Sequence, residues 1–349
     1  MQHNHYSKPT FSGRSLPGCL LAMLIVVLLT ACGDTGNNQE AVTIQPTQEP
    51  VGTTKPESSP EPEPSKEAYQ EGDVLTVTDE LGHEVNLPAN PARIFAPYME
   101  DSLLSLNVLP VAQWGNGGKG QSYLQDRLQD VPAVDFAGGL PPSPELVMAF
   151  EPDLIILHNA KYAENGVYEQ YSKIAPTYVF KNAAGDLNQS VAKLGELLGK
   201  TEEAKQALAN YEQKKEEAKT RLSSVTEGKK AALINFNGKG MYLIGSNYFG
   251  GYVLAHELGI GQTKLVEGKN SVDASREILP ELDADFIFTI NYGGSGEANM
   301  KELMDNAIWN SMSAVKNGHV YEASDEYWTG SGLIAYGKII DDVVRYLAP

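Results

Sequence analysis

Cysteine is almost absent from this 349-residue chain, which has only Cys19 and Cys32. No disulfide framework is available, so stability has to come from a large apolar core, which a chain of this length can supply. Basic side chains are also scarce, with 27 Lys and Arg against 45 Asp and Glu and a formal charge of −18. That balance argues against nucleic acid as a partner and against electrostatic docking on anionic lipid. Histidine is sparse, and none of the six stands in an H-x-x-H or H-E-x-x-H pattern. Apolar runs long enough to span a bilayer are missing too.

The one conspicuous apolar run, Cys19 to Leu29, follows Lys8 and Arg14, the only charges ahead of it. It is short for a membrane span and fits the core of a signal peptide. It leads into Leu29-Thr30-Ala31-Cys32-Gly33. Small residues before a cysteine, just past an apolar core, match a bacterial lipobox, with residues 1–31 removed and Cys32 acylated. The mature chain would then carry no thiol and a charge near −20, since Lys8 and Arg14 leave with the signal. The expected location is the extracytoplasmic face of the cell membrane, held by lipid. Residues 32–72 are dominated by Pro, Glu, Thr, Gln and Ser and read as a tether that cannot form a core.

The folded part begins near Asp73. Alternation over 74–78 and the run Thr78-Asp79-Glu80-Leu81-Gly82-His83-Glu84-Val85 predict a hairpin turning at Leu81-Gly82. Strands are expected over 93–96, 111–114, 154–157 and 177–180, with helices over 100–106 and 143–150. Strands alternating with helices imply a largely parallel sheet. From 186 to 223 the spacing of Leu187, Val191, Leu194, Leu198, Leu208, Tyr211 and Leu222 is helical, and no proline interrupts it. Too charged for a membrane and lacking sustained heptads, this segment predicts one connecting helix. Strand signals resume at 231–236, 241–244 and 286–290, helix signals at 253–258 and 333–347.

A weak self-match crosses that connector. Ser143-Pro144-Glu145 through Asp153-Leu154-Ile155-Ile156 aligns without gaps to Ser275-Arg276-Glu277 through Asp285-Phe286-Ile287-Phe288. Each copy offers a Ser at an N-cap, a Glu in the first turn, a short helix, an Asp turn and a buried strand. The fold class expected is α/β: two Rossmann-like lobes with mainly parallel sheets, residues 73–185 and 224–349, joined by a single long α-helix over 186–223. A broken connector, or both halves merging around one sheet without a groove, would contradict that. Helix physics alone explains Glu145 and Glu277 as complements to helix N-termini, worth about 0.3–1 kcal/mol each.

Taken in order, the lipobox, the hairpin leading to Pro91-Ala92-Arg93-Ile94, the Glu145…Pro152-Asp153-Leu154-Ile155 segment, the long helix, Tyr248-Phe249-Gly250-Gly251…Glu257-Leu258-Gly259 and Trp309…Gly318-His319-Val320-Tyr321 resemble the iron–siderophore substrate-binding proteins of ABC importers. The resemblance covers roughly residues 73–349. It implies a ferric siderophore as ligand in the cleft between the lobes, no resident cofactor or metal, no catalysis, and an ABC permease dimer as partner. It also implies that Glu145 and Glu277, one per lobe, pair with permease arginines, and that the protein acts as a monomer.

A siderophore saturates its own iron, so its site needs aromatic walls and a few orienting polar groups. Tyr98, Trp114, Tyr242, Tyr248, Tyr292, Tyr327 and Trp328 stand at strand ends or in Gly-rich loops, with Tyr327 and Trp328 the strongest pair. Lys161 is the expected charge partner, with Lys119 and Lys239 beside it; Trp309 is assigned to packing. So few basic groups favour a hydroxamate or mixed-carboxylate ligand over a tris-catecholate. Cobalamin or haem in the same architecture is the nearer alternative. A free-metal carrier would have His158 alone as a plausible cleft imidazole among His83, His158, His256 and His319. An enzyme lacks support, since Gly293-Gly294-Ser295-Gly296-Glu297 is no nucleophile elbow and Gly117-Gly118-Lys119-Gly120 no phosphate loop.

Overall fold

The computed structural model describes residues 75–136 and 141–349, and these fall within one compact unit. The signal segment, Cys32, the tether and Val74 lie outside the described residues.

The hairpin is built from β1 (Leu75–Thr78) and β2 (Glu84–Leu87), pairing Leu75 with Leu87 and Thr78 with Glu84. The Asp79 carboxylate accepts from the backbone N–H of Leu81 and His83 at 2.9 and 2.8 Å. Gly82 takes φ +96°, a conformation that glycine adopts without a steric penalty.

Beyond the hairpin, β3 (Ile94–Phe95), β6 (Leu154–Leu157) and β7 (Thr177–Val179) form a parallel sheet ordered β3-β6-β7. A second parallel pair, β4 (Gln113–Gly115) and β5 (Ala133–Asp135), joins it through a bridge between Phe95 and Ala112. The chain therefore runs outward from β3 to β5, then restarts at β6 on the other side. The second half is laid out alike. β8 (Lys230–Asn237) is its centre, with β9 (Gly240–Ile244) and β11 (Ser271–Ala274) on one side and β12 (Phe286–Asn291) and β13 (Val320–Ala323) on the other. β10 (Gly261–Gln262) pairs in parallel with the start of β8. Only β9 runs against its neighbours. Each sheet thus has a switch in strand order, between β3 and β6 and between β8 and β12, and such a switch opens a crevice at the carboxyl ends of the strands.

The self-match in sequence corresponds to a repeated joint. Asp153 accepts from the N–H of Ala92 and Arg93 at 2.8 and 2.9 Å, clamping the start of β3. Asp285, its counterpart, accepts from the N–H of Lys230 at 2.9 Å at the start of β8 and from Lys229 Nζ at 3.0 Å. Their own N–H groups donate to Arg93 O and Lys230 O at 2.9 and 2.8 Å. The preceding segments differ. Pro144–Ala149 is an α-helix capped by Ser143, whose hydroxyl accepts from Leu146 N–H at 3.3 Å. Arg276–Glu281 is a 3-10 helix containing Pro280, and Ser275 makes no side-chain cap. The expected second cap is absent because the N–H that would make it, that of Ile278, donates to the Ser275 carbonyl at 3.3 Å in the tighter 3-10 geometry.

The connector also needs correction. Residues 186–223 are two helices, Leu187–Leu197 and Thr201–Thr226, and the bridging helix is the second. Gly199 ends the first at φ +64°. Its N–H donates to Glu196 O at 3.4 Å and that of Lys200 to Gly195 O at 2.6 Å, the paired pattern by which a left-handed glycine closes a helix. The break contradicts the single helix expected over 186–223, while the two sheets remain separate with a groove between them, joined by the shorter helix Thr201–Thr226. That connector is not an isolated strut. Ala204, Tyr211, Ala218 and Leu222 are buried along it, in a core layer that also takes Val191 and Leu194, β-strand residues of both lobes and the C-terminal helix Leu333–Leu347. Two further apolar clusters belong to one lobe each, around Ile155 and Val179 and around Ile287 and Trp309.

Candidate functional site

The crevices of the two sheets face one cavity of about 530 Å³. Tyr98 follows β3 and His158 follows β6, the strands flanking the first switch point. Tyr292 and Gly293 follow β12, and Asp325 and Glu326 follow β13. Trp114, Asn116 and Gln121 complete the first wall; Phe249 and Thr329 complete the second.

Tyr98 sits at the middle of an aromatic cluster, with ring centroids 4.7 Å from His158, 5.1 Å from Phe136 and 5.4 Å from Trp114. Its φ is +68°, and Phe249 on the opposite wall has φ +57°. For bulky side chains that left-handed conformation is strained, and surrounding packing must hold it. Burial pushes the Tyr98 hydroxyl well above the usual tyrosine range, with Tyr162 adding to the effect. Burial also lowers His158 to about 4, against a hydrogen bond to the Pro97 backbone, so the imidazole is neutral at ordinary pH.

A seam beneath the cleft couples the lobes. The C-terminal helix begins after Gly332, which has no side chain to cap it. Asp101, from the first lobe, caps it instead, accepting from the N–H of Ile334 and Ala335 at 2.9 and 2.8 Å. Tyr123 donates its hydroxyl to the same carboxylate at 3.1 Å. Gly332 lies so close that a Cβ there would meet Asp101 at 2.1 Å. Burial raises Asp101 to about 6, against the hydrogen bonds it accepts. Its neighbour Glu100 accepts from Trp114 N–H, while its Oε2 is buried without a hydrogen-bond partner. Burial raises Glu100 to about 7, with the Trp114 N–H pulling the other way.

Of the residues expected in the site, Tyr98, Trp114 and Tyr292 line the cavity. The remaining five are elsewhere. Trp328 is 0% exposed, packed on Phe288 with centroids 4.9 Å apart, and its indole N–H donates to Asp342 at 2.9 Å. Tyr327 donates its hydroxyl to the same Asp342 at 2.7 Å. Of the strongest expected pair, Trp328 is core and Tyr327 half-buried against it, because their helix turns both side chains toward the C-terminal helix. Tyr248 packs on Phe249, which takes the cavity-lining place one residue on. Tyr242 accepts from Asn235 Nδ2 at 2.8 Å, behind the wall near Tyr248 and Tyr292. Lys161 is exposed and lines no part of the cavity, and the same holds for Lys119 and Lys239. Sequence reasoning missed Phe249, Gln121, Asn116, Asp325, Glu326 and Thr329 as wall residues. The polar cluster Ser324-Asp325-Glu326 before a short helix was the available signal for two of them. Among the described residues no group of three or more His, Cys, Asp or Glu is placed to hold a metal ion.

The model of the family described as periplasmic binding protein matches residues 113–327, a span that holds part of each cavity wall, Trp114 and His158 on one and Phe249, Tyr292, Asp325 and Glu326 on the other. The chain belongs to the periplasmic binding protein family. It is therefore a substrate-binding protein of ABC-transporter type and not an enzyme. Among curated relatives, it is 28% identical over 290 residues to the probable siderophore-binding lipoprotein YfiY of Bacillus subtilis (strain 168), covering 78% of this chain and 87% of that one. It is 28% identical over 295 residues to the iron(3+)-hydroxamate-binding protein YxeB of the same organism, covering 81% and 88%. The fold matches the crystal structure of Staphylococcus aureus SirA complexed with staphyloferrin B at a TM-score of 0.67 and 24% identity, over 78% of this chain and 98% of that one. As a member of this family, the chain has in its inter-lobe cavity a cleft for binding rather than for chemistry.

Proposed function

We propose that the protein captures a ferric siderophore in the inter-lobe cavity and delivers it to an ABC permease dimer. The observation that carries this reading is the cavity itself, about 530 Å³, set at the switch points of both sheets and walled by Tyr98, Trp114, Phe249 and Tyr292. A ferric siderophore brings its own iron ligands, so shape, aromatic surface and a few hydrogen-bonding groups suffice to hold it. The names of the relatives YfiY and YxeB point to the same ligand class. Hydroxamate or mixed-carboxylate complexes suit the scarcity of basic groups better than a tris-catecholate does.

In this reading Cys32 carries the lipid that holds the protein at the outer face of the cell membrane, and the protein works as a monomer. Glu145 and Glu277 are the permease contacts. Both are exposed, and each opens the short helix that feeds the second half of its lobe. Hydrogen bonds from its own backbone and from Ser143 hold the Glu145 carboxyl below its usual range, so it is fully ionised at neutral pH. Exposed Leu146 and Met148 beside it offer apolar area to a partner.

Titration of the full-length protein in detergent with a ferric trihydroxamate, a ferric tris-catecholate, cobalamin and haem, read by tryptophan fluorescence, tests the ligand class. Saturable one-to-one quenching by a ferric complex is expected, with Trp114 as the reporter in the wall. Saturation by cobalamin or haem alone would overturn the reading. For docking, the Glu145→Ala/Glu277→Ala double variant should lose siderophore-iron uptake in cells; wild-type uptake would remove the permease role.

A further inference from the structure

The cavity has a charge asymmetry that bears on which ferric complexes can enter it. Among the described residues that line it there is no lysine or arginine. The one imidazole, His158, is held neutral by burial. The phenol of Tyr98, pushed above its usual range, stays protonated as well. The first wall is therefore aromatic and uncharged. On the second wall stand two carboxylates on consecutive residues, Asp325 and Glu326. Their helix is only four residues long, Asp325–Trp328, and its cap is Ser324, whose hydroxyl accepts from Glu326 N–H at 3.3 Å. Asp325 Oδ2 accepts from Gly293 N–H at 2.7 Å, which fixes that carboxylate against the loop carrying Tyr292. Among the described residues neither acid forms an ion pair: the nearest cations on the C-terminal helix are committed elsewhere, Arg345 to Asp342 and Lys338 over the Tyr327 ring.

We propose that this cleft selects ferric complexes of zero or positive charge, and that Asp325 and Glu326 seat a protonated amine carried by the ligand beside the iron centre. The inference rests on the ferric-siderophore reading and narrows it to hydroxamates, since a mixed-carboxylate complex keeps a net negative charge. A ferric trihydroxamate has a neutral core, because three hydroxamate anions balance the iron, whereas a tris-catecholate carries three negative charges. With no basic group to offset them, those charges would face two carboxylates across a partly desolvated cavity. A neutral core can lie against the ring faces of Tyr98 and Trp114, and a pendant ammonium then finds its counter-charge on the opposite wall. The asymmetry fixes which end of the ligand meets which lobe.

The test compares two ligands with one iron core. The full-length protein is titrated with ferrioxamine B, a linear trihydroxamate complex bearing one ammonium, and with the same complex after acetylation of its amine. The ammonium form is expected to bind about tenfold more tightly, the worth of one charge pair in a partly solvated site. The Asp325→Asn/Glu326→Gln double variant should bind the two forms alike, and high salt should narrow the gap in the wild type. Equal affinity of the wild type for both forms, or tight binding of a ferric tris-catecholate, would overturn the charge selection while leaving siderophore binding in place. If none of the ferric complexes binds, the ferric-siderophore reading itself fails, and the charge selection falls with it.

Discussion

The two lobes share a frame and differ at their working edges. Asp153 and Asp285 clamp the first strand of their sheets by the same reciprocal pair of backbone hydrogen bonds, with Arg93 and with Lys230. At the carboxyl ends of those sheets the likeness stops: one edge presents Tyr98, Trp114 and a neutral His158, the other Tyr292, Phe249 and two carboxylates. The repeated part is what makes a lobe fold, and the unrepeated part is what lines the cavity. A duplicated scaffold can therefore hold an asymmetric ligand in one orientation.

The largest expected effect lies where the lobes stop being separate. Asp101→Ala removes the acceptor for two N–H groups at the buried start of the C-terminal helix and for the Tyr123 hydroxyl. Denaturant unfolding should show a loss of about 2–4 kcal/mol. A loss no larger than that of an exposed acid would mean the seam is not a structural joint.

The buried carboxylates beside it come next. Glu100 is raised to about 7 and Asp101 to about 6, in each case by burial first. The folded state therefore holds protons that the unfolded chain has already released. Their contribution is present in full below about pH 4, and it is lost as pH rises through 6 and 7. Stability should fall across that window, and Glu100→Gln should flatten the fall by on the order of 1–3 kcal/mol at pH 8. A profile as steep in the variant as in the wild type would place the titrating group elsewhere.

Much of the frame was legible in the sequence. Leu154–Leu157 is apolar throughout and forms a fully buried strand, and the Ser-x-Glu…Asp spacing marked both repeated joints. Where reading failed, the deciding contact was distant or depended on one backbone angle. Trp328 is core because Asp342, fourteen residues away on another helix, takes its N–H. Phe249 rather than Tyr248 faces the cavity because of a positive φ that no pattern encodes. The helix break was readable: Gly199 is a stop signal in its own right, and a helix can end at such a glycine with no proline near it.

Smaller tests separate the frame from its variations. Asp153→Ala and Asp285→Ala should each cost about 1–2 kcal/mol, since the first unpairs two backbone donors at a strand start and the second unpairs one with the Lys229 ammonium. A cost at one site alone would break the equivalence of the lobes. Ser143→Ala should cost about 0.5–1 kcal/mol and Ser275→Ala close to nothing, because only the first caps a helix. Equal losses would contradict the difference drawn between the two helices.

The most direct measurement is a crystal structure of the full-length protein with a bound ferric trihydroxamate. The iron complex should lie between Tyr98 and Trp114 on one side and Tyr292 and Asp325 on the other. Density for the complex at any other surface, with this cavity empty, would contradict the account.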